Sequence, residues 1–400
     1  MHQMFDVSVI GGGITGLAAA LMYAKNGMTV CVIDTIYANK KEESERYFSL
    51  SVSAKKILSN IDVWQDLQRT DFGVANSIDV WEEADKSILK FDLPDRLRPP
   101  MAWIVSERQL FRILKENILR NEIPVFCSNV SCERDSEYAP VLSLQDDTSL
   151  KTKLVVVADG RNSRTRSMLG IKFFNKNFNQ SAIVANVVTE TSHDKIARQC
   201  FLKKGPLAFL PLKDNFHCSV VWSVPSSDAT RLLGLDQQGF NKELAEAFDF
   251  KLGAIYSSSS LMSFPLEYGI ASRLTKNRFA LVGSAAHAFH PLAGQGLNLA
   301  LLDIATLIQC TTSDLRVNAT RLDSSLKRYH GWRKSEALKM IAMTTGLNSI
   351  YRQHNFPAPL LRRLGLRFLN SRKFWKDCLI ESAMGLRGDM PDIVKLDEPS

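Results

Sequence analysis

Glycines near the N-terminus have the spacing of a turn that binds phosphate groups. The segment GGGITG at 11–16 follows an apolar run and precedes the apolar stretch LAAALMYAK. In such a turn Gly11 permits a tight bend, Gly13 lets the backbone approach a pyrophosphate, and Gly16 lets the helix pack closely on the strand. The helix N-terminus then offers N–H groups to the phosphates. This segment, the first turn, predicts a dinucleotide site.

An acidic residue follows the next apolar strand. Asp34 comes directly after TVCVI, where a carboxylate is placed to hydrogen-bond an adenosine ribose. Strand, glycines, helix, strand and acid therefore occur in the order of a nucleotide-binding unit. By itself this order leaves both NAD and FAD open.

A second glycine-rich segment, the late turn at 283–298, indicates which dinucleotide is bound. It follows an apolar strand, precedes an apolar helix, and contains Pro291, Gly294, Gln295 and Gly296. Its glycines would let backbone N–H groups approach a flavin, because a Cβ atom would hold the ring away. A helix start also stabilises the negative charge of a reduced flavin. An enzyme that binds an extended FAD needs such a second binding segment, whereas a simple NAD enzyme does not.

Two histidines of the late turn, His287 and His290, lie three residues apart. No third ligand with suitable spacing accompanies them, so we predict no metal site. Structural roles are expected for both, and a role of His290 in proton handling stays open.

The elements that must position these residues alternate as in an α/β fold. Buried strands are predicted at Asp6–Ile10, Thr29–Ile33 and Leu154–Ala158, and β-branched and aromatic runs dominate 181–224. The pattern predicts a Rossmann-like FAD-binding domain, an inserted and mainly antiparallel β-sheet substrate domain, and a helical C-terminal region. The predicted bounds are 1–72, 106–170 and 271–312 for the FAD-binding domain, 73–105 and 171–270 for the substrate domain, and 313–400 for the C-terminal region.

Composition excludes several other classes of protein. The apolar share of 45% and charged share of 23% are ordinary for a globular enzyme, and the net charge is +8. No nucleic-acid-binding motif is present. Seven scattered cysteines without a CxxC pair favour a reducing cytoplasm and argue against a disulfide framework. We expect no targeting segment and no membrane span.

Three segments of the chain together resemble the fingerprints of the aromatic-ring flavoprotein hydroxylases, whose familiar member is para-hydroxybenzoate hydroxylase. They are the first turn, the pair Asp159–Gly160 and the late turn. The stretches AGQGLNLALLD and AMGLRGDMP are most similar to the subgroup that hydroxylates polyprenylated phenols in ubiquinone biosynthesis.

The resemblance implies a role for particular residues. It implies FAD contacts at Gly11, Gly13, Ile14, Thr15, Gly16, Asp34, Arg46, Arg108, Asp159, Gly160, Gly283, Ser284, Gly294, Gly296, Leu297 and Asn298, flavin positioning by Pro291, Gly294, Gln295 and Gly296, and substrate contacts at Phe209, Leu210, Pro211 and Trp222. Arg46, in ERYFSLS, matches an arginine that touches FAD in the family. No catalytic side chain is assigned.

One position departs from the family pattern. Most members have Gly–Asp where this chain has Gly283–Ser284, and that aspartate accepts hydrogen bonds from the ribityl chain. Serine carries no charge, so a charge-assisted contact becomes a weaker neutral one.

The implied activity is the hydroxylation of a polyprenylated phenol with NAD(P)H and O2, through a flavin C4a-hydroperoxide. Two alternatives stay open: a flavin-dependent prenyl reductase of the same superfamily, and a non-catalytic flavoprotein scaffold of a ubiquinone-synthesis complex. The ring position, the tail length, the choice between NADH and NADPH and the oligomeric state are not predicted.

The segment 350–376 interleaves apolar and aromatic residues with arginines and lysines and has no acidic residue. Such a basic amphipathic segment is typical of a membrane-surface or partner-binding element, although it can also pack on its own domain. We expect a cytoplasmic protein with peripheral contact at the inner membrane, or with a ubiquinone-synthesis complex, through this segment.

Overall fold

A computed structural model gives the structure of the chain. It describes residues 3–35, 37, 46–68, 72–83, 85–92, 100–133, 140–146, 148–289, 294–317, 319–352, 381, 384 and 388–395. His290, Pro291 and most of the segment 350–376 lie outside the described residues.

Helices and strands are numbered in chain order. The helices are α1 Ile14–Lys25, α2 Val52–Asn60, α3 Val63–Leu67, α4 Glu107–Arg120, α5 Arg164–Met168, α6 Ser226–Leu233, α7 Gln237–Ala247, α8 Gly296–Val317 and α9 Leu322–Arg352. The strands are β1 Gln3–Ile10, β2 Val30–Ile33, β3 Tyr47–Leu50, β4 Gly73–Ala75, β5 Ser77–Glu82, β6 Asp85–Asp92, β7 Ala102–Ser106, β8 Val125–Phe126, β9 Val130–Glu133, β10 Val141–Leu144, β11 Ser149–Val157, β12 Phe173–Thr189, β13 Ile196–Leu202, β14 Gly205–Pro211, β15 His217–Pro225, β16 Ile255–Ser258, β17 Met262–Ala271, β18 Thr275–Lys276, β19 Phe279–Leu281 and β20 His287–Ala288.

The first sheet has the parallel centre of a nucleotide-binding fold. Its strand order is β18-β19-β11-β1-β2-β8, and β1 pairs in parallel with both β2 and β11. A parallel sheet is covered on both faces, which explains why its strands read as continuous apolar runs. Val7, Val9 and the end of β11, for example, are fully buried. The carboxyl ends of β1, β11 and β19 therefore lie side by side and deliver three loops to one edge.

The second sheet is mainly antiparallel. Its order is β20-β17-β12-β15-β14-β13-β5-β6, and the long strand β12 pairs with β15 on one side and β17 on the other. Helices α6 and α7 cover one face, where their apolar residues form a core with alternate residues of the strands. We call the opposite face of this sheet the inner face.

A crossing of the chain and a packed cluster of side chains help to hold the sheets together. The chain leaves β19 of the first sheet, passes through a 3₁₀ turn at Gly283–Ala285, and enters β20, which pairs with β17 of the second sheet. A small sheet of order β3-β7-β4 packs against the second sheet, because Ala75, Ala102 and Ile104 form a cluster with Ala197 and Leu212. The predicted fold class is thereby confirmed, while the exact domain bounds stay a prediction.

Candidate functional site

The first turn brings backbone atoms too close together for any side chain. A Cβ atom on Gly11, whose φ is +109°, would lie 2.4 Å from the carbonyl oxygen of Ala158, and one on Gly16 would lie 1.8 Å from that of Gly11. Gly13 is the N-cap of α1, and no side chain caps this helix end. The helix start therefore presents its N–H groups at the edge where the parallel strands end, as anion binding requires.

An acid and an aromatic ring border the first turn. The N–H of Gly12 donates to Oδ2 of Asp34 at 2.6 Å, which fixes the carboxylate at the end of β2. The ring of Tyr37 packs on Gly12, with Cδ2 only 2.8 Å from the position of a Cβ atom there. The buried Tyr37 hydroxyl has no hydrogen-bond partner within the described ranges. Tyr37 was not predicted, because nothing in its local sequence marks it.

The pair Asp159–Gly160 follows β11 and adjoins the first turn. The N–H of Ala158 donates to the carbonyl of Ile10 at 2.7 Å, so the ends of β1 and β11 are joined directly. Oδ2 of Asp159 accepts from the N–H of Thr165 at 3.1 Å. Its Oδ1 is buried without a partner in the part of the chain that the structure describes, so this oxygen can accept a bond from a ligand or its water shell.

An arginine joins this segment to the late turn. Nη1 of Arg166 donates to the carbonyl of Ala285 at 2.9 Å, and its guanidinium lies 4.1 Å from the centre of the Phe173 ring. Burial lowers the pKa of Arg166, and the charge of Asp159 opposes this effect. Arg166 is buried, and it fixes two of the three fingerprint segments relative to each other.

The late turn touches the first turn. A Cβ atom on Gly283 would lie 3.1 Å from Cγ2 of Thr15 in α1 and 3.1 Å from Cβ of Ala300 in α8. Ser284 is exposed between the buried residues Gly283 and Ala285, so its side chain is available to a ligand. Segments far apart in the chain therefore form one continuous edge.

The start of α8 is fixed to β3. Asn298 accepts at Oδ1 from the N–H of Ser51 at 3.1 Å and donates through Nδ2 to the carbonyl of Ser49 at 3.0 Å. Its side chain thus orients the late turn rather than pointing away from the protein. Among the described residues, nothing lies within 4 Å of a Cβ atom built on Gly296, so none of them crowds the start of α8 at this position. Leu297 is buried beside it.

A buried ion network lies directly behind the late turn. Asp303 of α8 accepts from Nε2 of His287 at 2.6 Å, from the N–H of Gly283 at 2.9 Å and from Nε of Arg333 at 2.7 Å. Burial alone would raise the pKa of Asp303, but His287 and Arg333 hold it below its usual value. The described residues contain no cluster suited to a metal ion. The structural role expected of His287 agrees with this geometry.

The two predicted arginines differ in their surroundings. Arg46 forms a two-pronged ion pair with Glu107, at 2.8 and 2.7 Å, and its guanidinium lies 4.8 Å from the centre of the Phe264 ring in the second sheet. It therefore spans the cleft between the sheets instead of extending freely towards the first turn. Arg108 is exposed near the N-terminus of α4.

The four residues predicted to contact the substrate do not share one face of the second sheet. Phe209 and Trp222 point to the face covered by α6 and α7, where Phe209 stacks on Phe248 at 4.0 Å. Side chains alternate along a strand, so Leu210 points the other way and packs near Tyr47 of β3. Pro211 is buried at the end of β14 against Gly73. Of the predicted substrate residues, Leu210 belongs to the inner face and Phe209 and Trp222 do not.

The inner face nearest the late turn is apolar. Strand pairing places Val221 between Ala208 and Val184, and places Ala182 opposite Phe264. Several of these residues are only partly buried, although they are apolar. A partly buried apolar surface of this kind can contact a flat apolar molecule.

The geometry suits an extended FAD. The close contacts of the first-turn glycines would let a pyrophosphate approach the start of α1. Asp159 has a buried oxygen that can accept a hydrogen bond from a ligand, and no described residue crowds Gly296 at the start of α8. The individual contacts predicted for FAD stay predictions.

Known proteins are similar to this chain in sequence and in fold. The family model described as "FAD binding domain" matches residues 4–344. Ubiquinone hydroxylase UbiL of Rhodospirillum rubrum is 30% identical over 96% of this chain and 90% of its own length. The 3-demethoxyubiquinol 3-hydroxylase of Escherichia coli is 28% identical over 96% of this chain and 100% of its own length. The crystal structure of p-nitrophenol 4-monooxygenase PnpA from Pseudomonas putida has a TM-score of 0.75 at 18% identity, over 97% of this chain and 100% of that chain, and therefore shares the fold.

Proposed function

The chain belongs to the FAD binding domain family, and from that premise we propose that it is an FAD-dependent monooxygenase that hydroxylates the ring of a polyprenylated phenol in ubiquinone biosynthesis. The names of UbiL and of the Escherichia coli hydroxylase support this substrate class, because both relatives align along nearly the whole chain.

One observation carries the proposal: the late turn touches the first turn and also continues into the second sheet. Gly283 lies against Thr15, and five residues later Ala288 pairs with Gly269 of β17. A dinucleotide bound at the first turn would then extend past the late turn and end beside the inner face. This is the position from which a flavin could react with a phenol resting on that face.

Different segments of the chain would bind different parts of FAD. The first turn and α1 would bind the pyrophosphate, and Asp34 would bind the adenosine ribose. Asp159 and Ser284 would accept or donate hydrogen bonds in the middle of the cofactor. The start of α8, at Gly294–Asn298, would face the flavin ring.

The protein's contribution to the reaction is chiefly positional and electrostatic. Bound FAD would supply the acceptance of a hydride from NAD(P)H and the activation of O2. The start of α8 would stabilise the negative charge of the reduced ring through its N–H groups. The apolar inner face would orient the phenol and exclude water from the reacting atoms.

The purified protein gives a direct test. We expect it to bind FAD, to oxidise NAD(P)H, and to consume O2 faster when a short-chain polyprenyl phenol is added, with a hydroxylated product detected by mass spectrometry. Reduction of a prenyl double bond without O2 consumption would support the reductase alternative. A protein that binds no flavin, or that binds it but is inert to NAD(P)H, would support the scaffold and contradict the proposal.

Replacing Ser284 with aspartate should tighten FAD binding. Ser284 is exposed at the edge where the ribityl chain would pass, and a carboxylate would make a charge-assisted hydrogen bond in place of a neutral one. We expect the FAD Kd to fall about fivefold, measured by quenching of flavin fluorescence. Ser284→Asn, which adds a polar group without charge, is the control and should change the Kd little. An unchanged Kd in Ser284→Asp would contradict the placement of this residue.

Replacing Ala208 with tryptophan should block the phenol without affecting FAD. Ala208 is partly buried on the inner face, where an indole would fill the space expected for the substrate ring. We expect phenol-dependent O2 consumption to fall about tenfold or more, with an unchanged FAD Kd. Ser263→Trp is the control, because Ser263 is exposed on β17 and pairs with Ile183, which points to the other face. Equal rates in both variants would exclude the inner face as the substrate site.

We also propose that contact with the inner membrane, or with a ubiquinone-synthesis complex, uses the basic segment 350–376. Its sequence supports this, whereas most of the segment lies outside the described residues. Within the described ranges, none of the helices combines the length and the apolar character that crossing a membrane requires.

A further inference from the structure

The carboxylate of Asp303 has an unusual set of bonds for a residue in an apolar helix. It is completely buried, and Arg333 and His287 beside it are 2% and 3% exposed. Oδ2 accepts two bonds, from the Gly283 N–H and from Nε2 of His287, while Oδ1 accepts from Nε of Arg333. All three donors therefore converge on one group that no solvent reaches.

These bonds join the elements that meet at the late turn. Gly283 begins the 3₁₀ turn after β19, His287 lies in β20 of the second sheet, Asp303 lies in α8 and Arg333 lies in α9. The Gly283 N–H is buried, so without an acceptor it would carry the full cost of an unmade hydrogen bond. The turn would then relax into another conformation, and the contact of Gly283 with Thr15 would change.

We propose that Asp303 is a positioning residue that sets the conformation of the late turn for FAD binding through its bond to the Gly283 N–H. Arg333 balances the charge of Asp303 inside the protein. His287 lies in β20 of the second sheet, and its hydrogen bond joins that sheet to the same carboxylate. This inference rests on the proposed FAD site, and it adds residues that do not themselves touch the cofactor.

Two double variants isolate the hydrogen bond from the charge. In Asp303→Asn with Arg333→Met, the amide oxygen can occupy the place of Oδ2 and still accept from both Gly283 and His287. In Asp303→Leu with Arg333→Met, no acceptor is left. Both variants lack the buried ion pair, and such pairs can be replaced by uncharged residues without loss of the fold. The single variant Asp303→Asn would instead turn its NH2 group towards the Nε–H of Arg333, so two donors would face each other.

We expect the asparagine double variant to bind FAD within about threefold of the wild-type Kd, and the leucine double variant to bind about tenfold more weakly or worse. The single Asp303→Asn variant should also bind weakly and should be rescued by the added Arg333→Met. Binding is measured by flavin fluorescence quenching, and the bound flavin's circular dichroism in the visible range reports its orientation. Melting of the FAD-free proteins shows whether the two double variants are equally folded.

The control is Asp323→Asn, which removes an ion pair with Arg278 from the start of α9 without touching the late turn, and it should leave the FAD Kd unchanged. Equal Kd values in the two folded double variants would overturn the inference, and so would failure of the added Arg333→Met to restore binding to Asp303→Asn. If the wild-type protein itself binds no FAD, the proposed function fails instead, so the two failures are distinguishable.

Discussion

Replacing Gly16 with alanine is expected to abolish FAD binding and to lower the stability of the chain at the same time. The added Cβ atom would lie 1.8 Å from the carbonyl oxygen of Gly11, a backbone atom that no side-chain rotation can move. Helix α1 would have to shift away from β1, which would open the turn expected to surround the pyrophosphate. We expect the FAD Kd to rise about 100-fold or more and the melting temperature of the FAD-free protein to fall by about 5 °C or more.

Fluorescence quenching and thermal melting of the FAD-free protein measure the two effects separately. Gly331→Ala is the matched control, because a Cβ atom on Gly331 in α9 would meet nothing within 4 Å in the part of the chain that the structure describes. That variant should bind FAD normally and melt at the same or a higher temperature. Normal FAD affinity in Gly16→Ala would show that the first turn is not where the dinucleotide binds.

Replacing Gly296 with valine is expected to abolish FAD binding while leaving the FAD-free protein as stable as before. No atom of the described residues lies within 4 Å of the Cβ position, so we expect the side chain to enter the proposed cofactor cleft without disturbing them. The start of α8 borders that cleft, and a branched side chain there would hold the flavin ring away from the helix N–H groups. We expect the Kd to rise about 100-fold, with a melting temperature within about 2 °C of the wild type.

Gly331→Val tests whether valine at an open glycine position has effects of its own, and it should bind FAD normally. A Gly296→Val protein that remains fully loaded with flavin would refute the placement of the ring at α8. Together with Gly16→Ala, this variant separates two roles of glycine. Gly16 allows close packing of helix α1 on the backbone of the first turn, and Gly296 leaves space for the cofactor.

Local patterns in the sequence were sufficient to predict β1, β2 and the end of β11, which form the centre of the first sheet. The run before Gly11 became β1, the glycines preceded α1, and Asp34 followed β2, because each depends on residues that are neighbours in the chain. Helix α4 likewise follows a local pattern, because its N-cap is Ser106 and its residues Leu110, Ile113, Leu114 and Ile118 are buried on one side. The late turn was also predicted from spacing alone.

Features that depend on the packing of distant segments were not predictable in this way. The aromatic residues of β14 and β15 suggested a substrate face, but the side of the sheet to which Phe209 points depends on where α6 and α7 pack. The role of Arg166 depends on the Ala285 carbonyl, which a different part of the chain supplies. One signal was overlooked: Asp303 is a charged residue within the apolar helix LALLDIATL, and a buried charge requires partners.

The passage from β19 through Gly283–Ala285 into β20 has a mechanical consequence. The polypeptide crosses from one sheet to the other within a few residues, and those residues border the proposed cofactor cavity. Any hinge-like rotation of one sheet against the other would thus strain this crossing, beside which we propose that the isoalloxazine binds. We therefore expect that the two sheets do not separate widely while FAD is bound. A long-tailed lipid substrate would then have to enter along the edge of the cleft between them.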